Sequence, residues 1–129
     1  MRSLCCGIAM LFGFSCFGHA ADHTKDSLQT VKKGLTDKKA VLVDVRELDE
    51  WNDGHLKEAK HLALSQIKNG IKDEKLKELI PPGKIVYLHC AAGGRCLKAA
   101  DMLKNKGYDI RPLKPGYDAL INAGFEKAP

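Results

Sequence analysis

Val41-Leu42-Val43-Asp44-Val45 is a nearly unbroken apolar run rich in β-branched residues. Such a run is the pattern of a strand buried on both faces, as in a parallel sheet. Ile85-Val86-Tyr87-Leu88 has the same character and is the clearest strand of the chain. Between and around these runs the apolar period changes. Residues 25–33 place Leu28 and Val31 on one side and predict a helix, with Gly34 as its stop. Residues 47–51 predict a short helix ending before Gly54, with Trp51 in the core, and residues 59–63 a weak strand that contains Lys60 and His61. Residues 65–80 carry Ile67, Ile71, Leu76, Leu79 and Ile80 at roughly helical spacing, divided at Gly70 and closed by Pro81-Pro82-Gly83. Residues 95–106 form an amphipathic helix with Leu97, Ala100 and Leu103 on one side and Gly107 as its stop. A strand over 108–113 and a last helix over 116–123 complete the series. Strands and helices alternate, which predicts an α/β domain: a central, mainly parallel sheet with helices on both faces.

Composition narrows this reading. The chain has 129 residues, room for one domain of ordinary size. Hydrophobic residues make up 44% and charged residues 29%, which excludes a disordered polar tail. The net charge is +5, but the basic residues are interleaved with acids and form no dense tract. That patterning argues against a nucleic-acid partner.

The first 20 residues stand apart. They contain three of the four Phe, three of the five Cys, no acid, and Arg2 as their one charge. Residues 4–17 are an apolar run shorter than a membrane span requires, and Gly18-His19-Ala20 offers small residues where a signal peptidase reads. We expect residues 1–20 to be a cleaved signal peptide and residues 21–129 the functional domain, exported to a periplasm or secreted, with no stable membrane insertion after cleavage. Cleavage after Ala21 fits nearly as well, and Cys16 has a poor approach for a lipoprotein acceptor. The mature chain would carry a net +4 and keep only Cys90 and Cys96.

Cys90 sits at the carboxyl end of the clearest strand, where parallel α/β sheets build their sites. A cysteine after an apolar strand is often no more than a small buried hydrophobe. Here it is followed by Ala91, Ala92, Gly93 and Gly94, then by Arg95 and a helix. A loop of such small residues lets backbone N–H groups converge on one point, and the helix turns its positive end to the same place. A thiol there has a lowered pKa and is largely thiolate at neutral pH, the form that attacks sulfur. The loop from Ala91 to Cys96 is the candidate substrate cradle.

These motifs resemble the rhodanese family. Val41-Leu42-Val43-Asp44-Val45-Arg46, followed by Glu47, Glu50-Trp51 and Gly54-His55-Leu56, resembles its N-terminal signature. Cys90 to Arg95 resembles its six-residue active-site loop, and Leu113-Lys114-Pro115-Gly116-Tyr117 its late Gly-containing segment. The likeness runs over about residues 25–126, and it is to the exported, single-domain, phage-shock type. It implies a rhodanese-like three-layer fold and a sulfurtransferase. Cys90 would take the outer sulfur of thiosulfate or a similar small anionic donor and hand it, from a persulfide, to cyanide or a thiol. It implies no metal and no organic cofactor; separately, we expect a monomer. Glu58, Ala63 and Pro115 depart from the family pattern at turns. Ala91 departs where some thiosulfate-using members carry a base, which leaves the donor open.

The remaining candidates carry two readings each. Arg95 orients a donor oxyanion with its planar fork, or braces the loop in an ion pair. Asp44 and Arg46 are expected as a buried structural pair. His89 is expected to point away from Cys90 by strand alternation and to serve in packing or capping rather than as a base, and His55 is a turn residue. Cys96 is a redox partner of Cys90 or a half-buried helix cysteine. The rivals to sulfur transfer are a cysteine-loop phosphatase or arsenate reductase, a Cys90–Cys96 dithiol redox protein, and a non-catalytic module. The first usually spaces Cys and Arg by five residues against four here. The second lacks the C-x-x-C spacing. The third typically loses its Cys.

Overall fold

The computed structural model describes residues 20–129, so the expected leader lies, except for Ala20, outside the described residues. Four strands form one parallel sheet in the order β2-β1-β3-β4. They are β1 (Ala40–Asp44), β2 (Ala59–His61), β3 (Ile85–His89) and β4 (Asp109–Pro112). The two apolar runs singled out in the sequence are the two central strands, paired along Ala40–Asp44 and Ile85–His89. The polar residues that made β2 faint belong to an edge strand, where one side meets solvent. Asp109 and Arg111 occupy the opposite edge on β4.

Among the described residues six α-helices surround the sheet: α1 (Leu28–Thr36), α2 (Leu48–Asp53), α3 (Leu64–Lys68), α4 (Asp73–Leu79), α5 (Gly94–Leu103), which runs on into a 3-10 turn at Lys104–Lys106, and α6 (Tyr117–Asn122). Strand alternation divides the core in two. Val43, Val45, Val86, Leu88 and Cys90 face one layer with Leu64, Ile67, Leu76 and Leu103. Leu42 and Tyr87 face the other with Val31, Leu113, Leu120 and Phe125. The arrangement is the expected α/β fold with helices on both faces.

Two local expectations are corrected. Gly34 does not stop α1. The helix starts one turn late, where the Ser27 hydroxyl accepts the Thr30 N–H at 3.1 Å, and it runs to Thr36. Gly34 lies inside it because the helix crosses β1 there: a Cβ would stand 3.1 Å from that of Ala40. Trp51 is half-buried and belongs to neither core layer. Its indole stacks on His55, with ring centroids 3.7 Å apart, and on His61 at 4.9 Å. Those two rings, the second on edge strand β2, hold the indole outside the core layers.

Asp44 and Arg46 close the carboxyl end of β1. Both are buried, and the guanidinium grips the carboxylate through Nε (3.1 and 3.0 Å) and Nη2 (2.8 Å). Nη2 also reaches the Gly54 carbonyl at 2.7 Å, and the guanidinium lies 4.2 Å from the Tyr117 ring centre. The pair therefore ties β1 to the end of α2 and to α6. Removing one member of such a pair leaves a bare buried charge, which costs about 3–5 kcal/mol. Asp44→Ala should therefore lower the unfolding free energy by that order, seen as a lower urea midpoint with an unchanged slope. A loss of under about 1 kcal/mol, the range of solvated pairs, would contradict the arrangement.

Candidate active site

The end of β3 sets where Cys90 points. Val86 and Leu88 share its face, so the thiol turns toward α5 and is only 1% exposed. Beyond it Ala91 and Ala92 are exposed, Gly93 turns back in a left-handed conformation (φ 90°), and Gly94 opens α5. That turn aims the Gly93 N–H at the Cys90 sulfur, 3.0 Å away. A side chain at Gly93 would also meet the Lys114 carbonyl oxygen at 2.7 Å, so both backbone angle and space demand glycine.

The Cys90 pKa falls to about 5. The largest cause is a hydrogen bond from the Cys96 thiol. The backbone N–H groups of Cys96, Ala92 and Gly93 add to it, and together they outweigh burial, which acts the other way. Cys96 is itself fully buried, with its sulfur 3.0 Å from the Gly93 carbonyl and 3.2 Å from that of Leu113. One S–H proton has three acceptors to choose among, and a negative sulfur is the strongest of them. The bond to Cys90, then burial, push the Cys96 pKa far upward. The two free thiols therefore divide their roles: Cys90 carries the charge and Cys96 keeps the proton.

Arg95 stands at the far end of the loop. Its two terminal nitrogens grip both oxygens of Glu50 on α2, Nη2 at 2.8 Å. The Glu50 pKa drops to about 2, first because of that hydrogen bond. With Glu50 in place, the guanidinium is engaged in bracing the loop against α2. His89 lies on the opposite side of β3, in line with strand alternation, 3.7 Å from Asp44. Desolvation lowers its pKa, so it is neutral and far from a base role at Cys90. The structure thus gathers Cys90, the Ala91–Gly94 backbone, Arg95 and Cys96 in one place. Asp44, Arg46 and His89 lie behind it.

Three residues of this site had no assigned role in the sequence reading. Glu50 lies 45 positions from Arg95, and no spacing rule joins them. Gly116 closes the loop from the other side. A Cβ there would stand 1.8 Å from the Ala91 carbonyl oxygen, while the Tyr117 N–H donates to the Cys90 carbonyl at 2.9 Å. Glycine in the late segment was the local signal. His23 is the third, with Nε2 2.8 Å from the Gly93 carbonyl oxygen, and nothing in its neighbourhood marked it. Among the described residues no cluster of His, Cys, Asp or Glu could hold a metal ion.

Residues 27–123 match the profile of the rhodanese-like domain. An uncharacterised Bacillus subtilis protein, YqhL, is 36% identical over 97 residues, which cover 69% of this chain and 72% of that protein. A Schizosaccharomyces pombe protein that bears the provisional name of mitochondrial thiosulfate sulfurtransferase is 32% identical, over 60% of this chain and 59% of its own length. Among solved structures, the human single-domain sulfurtransferase TSTD1 superposes with a TM-score of 0.62 at 22% identity. It covers 75% of this chain and 94% of its own, a likeness of fold.

Gly116 has φ −89°, open to any residue, so its requirement is space alone. Gly116→Ala should cost about 1–3 kcal/mol as an overpacked contact and displace Ala91. Chemical denaturation would register the first effect and a crystal structure the second. An unshifted loop at full stability would refute the close approach.

Proposed function

The chain belongs to the rhodanese-like domain family, and we propose that it is a sulfurtransferase in which Cys90 carries the sulfur as a persulfide. The observation that carries this reading is the Cys90 sulfur at the end of β3 with the Gly93 N–H 3.0 Å away, an arrangement that favours the thiolate. The Cys90 thiolate attacks the outer sulfur of thiosulfate or a similar donor. A new S–S bond forms, the donor's own S–S bond breaks, and sulfite leaves with the electron pair. Cyanide or a thiolate then attacks the terminal sulfur, and the electrons of the broken bond return to Cys90. The loop amides are preorganised for the anion at each stage.

The site suits small donors, since Cys90 is almost closed off and the loop that follows it opens with the small, exposed Ala91 and Ala92. Arg95 helps a donor oxyanion only as far as Glu50 releases it. We further propose that the chain works as an exported monomer; what supports export is the apolar run at residues 4–17, shorter than a membrane span, ahead of the small residues Gly18-His19-Ala20. A dithiol role is the second reading, favoured by two free, buried thiols at the two ends of one loop.

Intact mass after thiosulfate treatment of the reduced protein should rise by one sulfur atom. The gain should be absent in Cys90→Ser and reversed by cyanide. A loss of two hydrogens that needs both cysteines would carry the dithiol reading instead, and an unchanged mass would rule out thiosulfate as donor. The pH dependence follows from the thiolate. Since the folded-state pKa lies at about 5, the rate of persulfide formation should climb through that pH and level off well below the pKa of an ordinary thiol. A climb centred near pH 8–9, about where free cysteine titrates, would contradict an activated Cys90.

A further inference from the structure

We propose that His23 is a positioning residue for the cysteine loop, delivered by an N-terminal strap outside the family domain. It holds Gly93, whose N–H lies on the Cys90 sulfur, in its left-handed turn. The inference rests on the reading of Cys90 as the sulfur-carrying nucleophile and adds a second control over its loop.

The family match begins at residue 27, yet the residues before it are bound to the domain at several points. The Ala21 N–H donates to Asp101 Oδ1 on α5 at 2.7 Å. The Thr24 N–H donates to the Pro112 carbonyl, at the end of edge strand β4, at 2.8 Å. Asp26 Oδ2 accepts from the Tyr87 hydroxyl at 2.7 Å and from Arg111 Nη1 at 2.8 Å. Ala21 packs on the core layer beneath α5. Between these anchors His23 Nε2 meets the Gly93 carbonyl oxygen at 2.8 Å. A carbonyl only accepts, so the imidazole presents Nε2–H to it.

Gly93 is the residue of the loop whose orientation matters most. Its N–H is on the Cys90 sulfur, and its carbonyl receives both His23 and the Cys96 thiol. In a planar trans peptide the carbonyl and the next N–H point in opposite directions. Holding the Gly93 carbonyl toward the strap therefore fixes one side of Gly93, while its own N–H, on the other side of its left-handed turn, stays on the Cys90 sulfur. Little steric resistance opposes a turn of this plane. Both residues lack a side chain, and a Cβ on Gly94 would find nothing within 4 Å. Hydrogen bonds must supply the restraint. The Gly93 carbonyl, as the N-cap of α5, also accepts the first N–H of that helix, and when the single Cys96 proton serves Cys90 the His23 imidazole is the side chain that still holds it. His23 acts through Gly93 and does not touch the reacting sulfur.

The test uses the full-length chain with His23→Ala and His23→Gln, the second keeping an N–H donor at similar reach. The ultraviolet absorbance of the Cys90 thiolate is followed against pH, with Cys90→Ser as the subtraction reference, beside a thermal melt. The other titratable groups whose fields reach Cys90 are Arg95 and Cys96 on α5 and His89 on β3, all unchanged in these variants. At about pH 5 the thiolate fraction should fall about threefold in His23→Ala and recover in His23→Gln, a change well within what one lost hydrogen bond can move. Asp101→Ala, which cuts the strap's first anchor away from the loop, should shift the curve in the same direction by less. An unshifted curve in His23→Ala overturns the proposal. So does an equal shift in both His23 variants accompanied by equal loss of thermal stability, which would mark a merely structural contact. The readout uses no sulfur donor. A chain that never forms a persulfide would defeat the proposed function, while an unmoved thiolate curve would defeat this inference alone.

Discussion

A negative sulfur placed almost out of water is tolerated only if donors surround it, and this requirement organises the molecule. Cys90 is 1% exposed, yet its thiol ionises far more readily than an ordinary one. The donors are a backbone N–H, other loop amides and a neighbouring S–H, none of which moves far to meet the charge. Each needs its own support. The left-handed turn at Gly93 aims its N–H. Helix α5 begins where it does so that its first turn faces the sulfur. The Gly116 backbone presses against Ala91 from behind, where no side chain would fit.

The sheet supplies the fixed frame for that loop. β1 and β3 lie side by side in register, so Asp44 and His89 are direct neighbours and Cys90 emerges at the same level as Val45. Behind the loop the Asp44–Arg46 pair joins β1, α2 and α6 with buried charge. The cost of desolvating both groups is offset by four short contacts within the pair and a fifth to the Gly54 carbonyl. The ion pair between Glu50 and Arg95 repeats the device nearer the surface, where each side chain is about one-third exposed and the energy at stake is smaller. Its effect is on availability: a guanidinium already matched to a carboxylate attracts an incoming anion less than a free one does.

The division of labour between Cys90 and Cys96 follows from their elements rather than from any difference in chemistry. Cys90 ends a strand and receives the converging N–H groups. Cys96 sits in the first turn of the helix with carbonyls of Gly93 and Leu113 about it, which favour a protonated sulfur. Two identical side chains six positions apart thus become an anion and its donor.

Much of this was legible in the chain alone. The apolar runs at 41–45 and 85–88 announced buried central strands, and the alternation of strand and helix announced the parallel sheet. Cys90 with its small-residue loop and following helix announced an anion site, because strand end, loop and helix start are contiguous. What was misread or missed lay between distant segments. Gly34 read as a stop, since only the crossing of α1 over Ala40 explains a glycine inside a helix. Trp51 read as core, since its stacking on His55 and His61 depends on where the edge strand runs. The match of Glu50 to Arg95, the contact of Gly116 with Ala91 and the reach of His23 to Gly93 exist only after the sheet has assembled. Local pattern determined the elements and the nucleophile, because periodicity and loop chemistry act over a few residues. Tertiary structure decided how the nucleophile is held, because its supports come from segments that only the packed core brings within hydrogen-bonding distance.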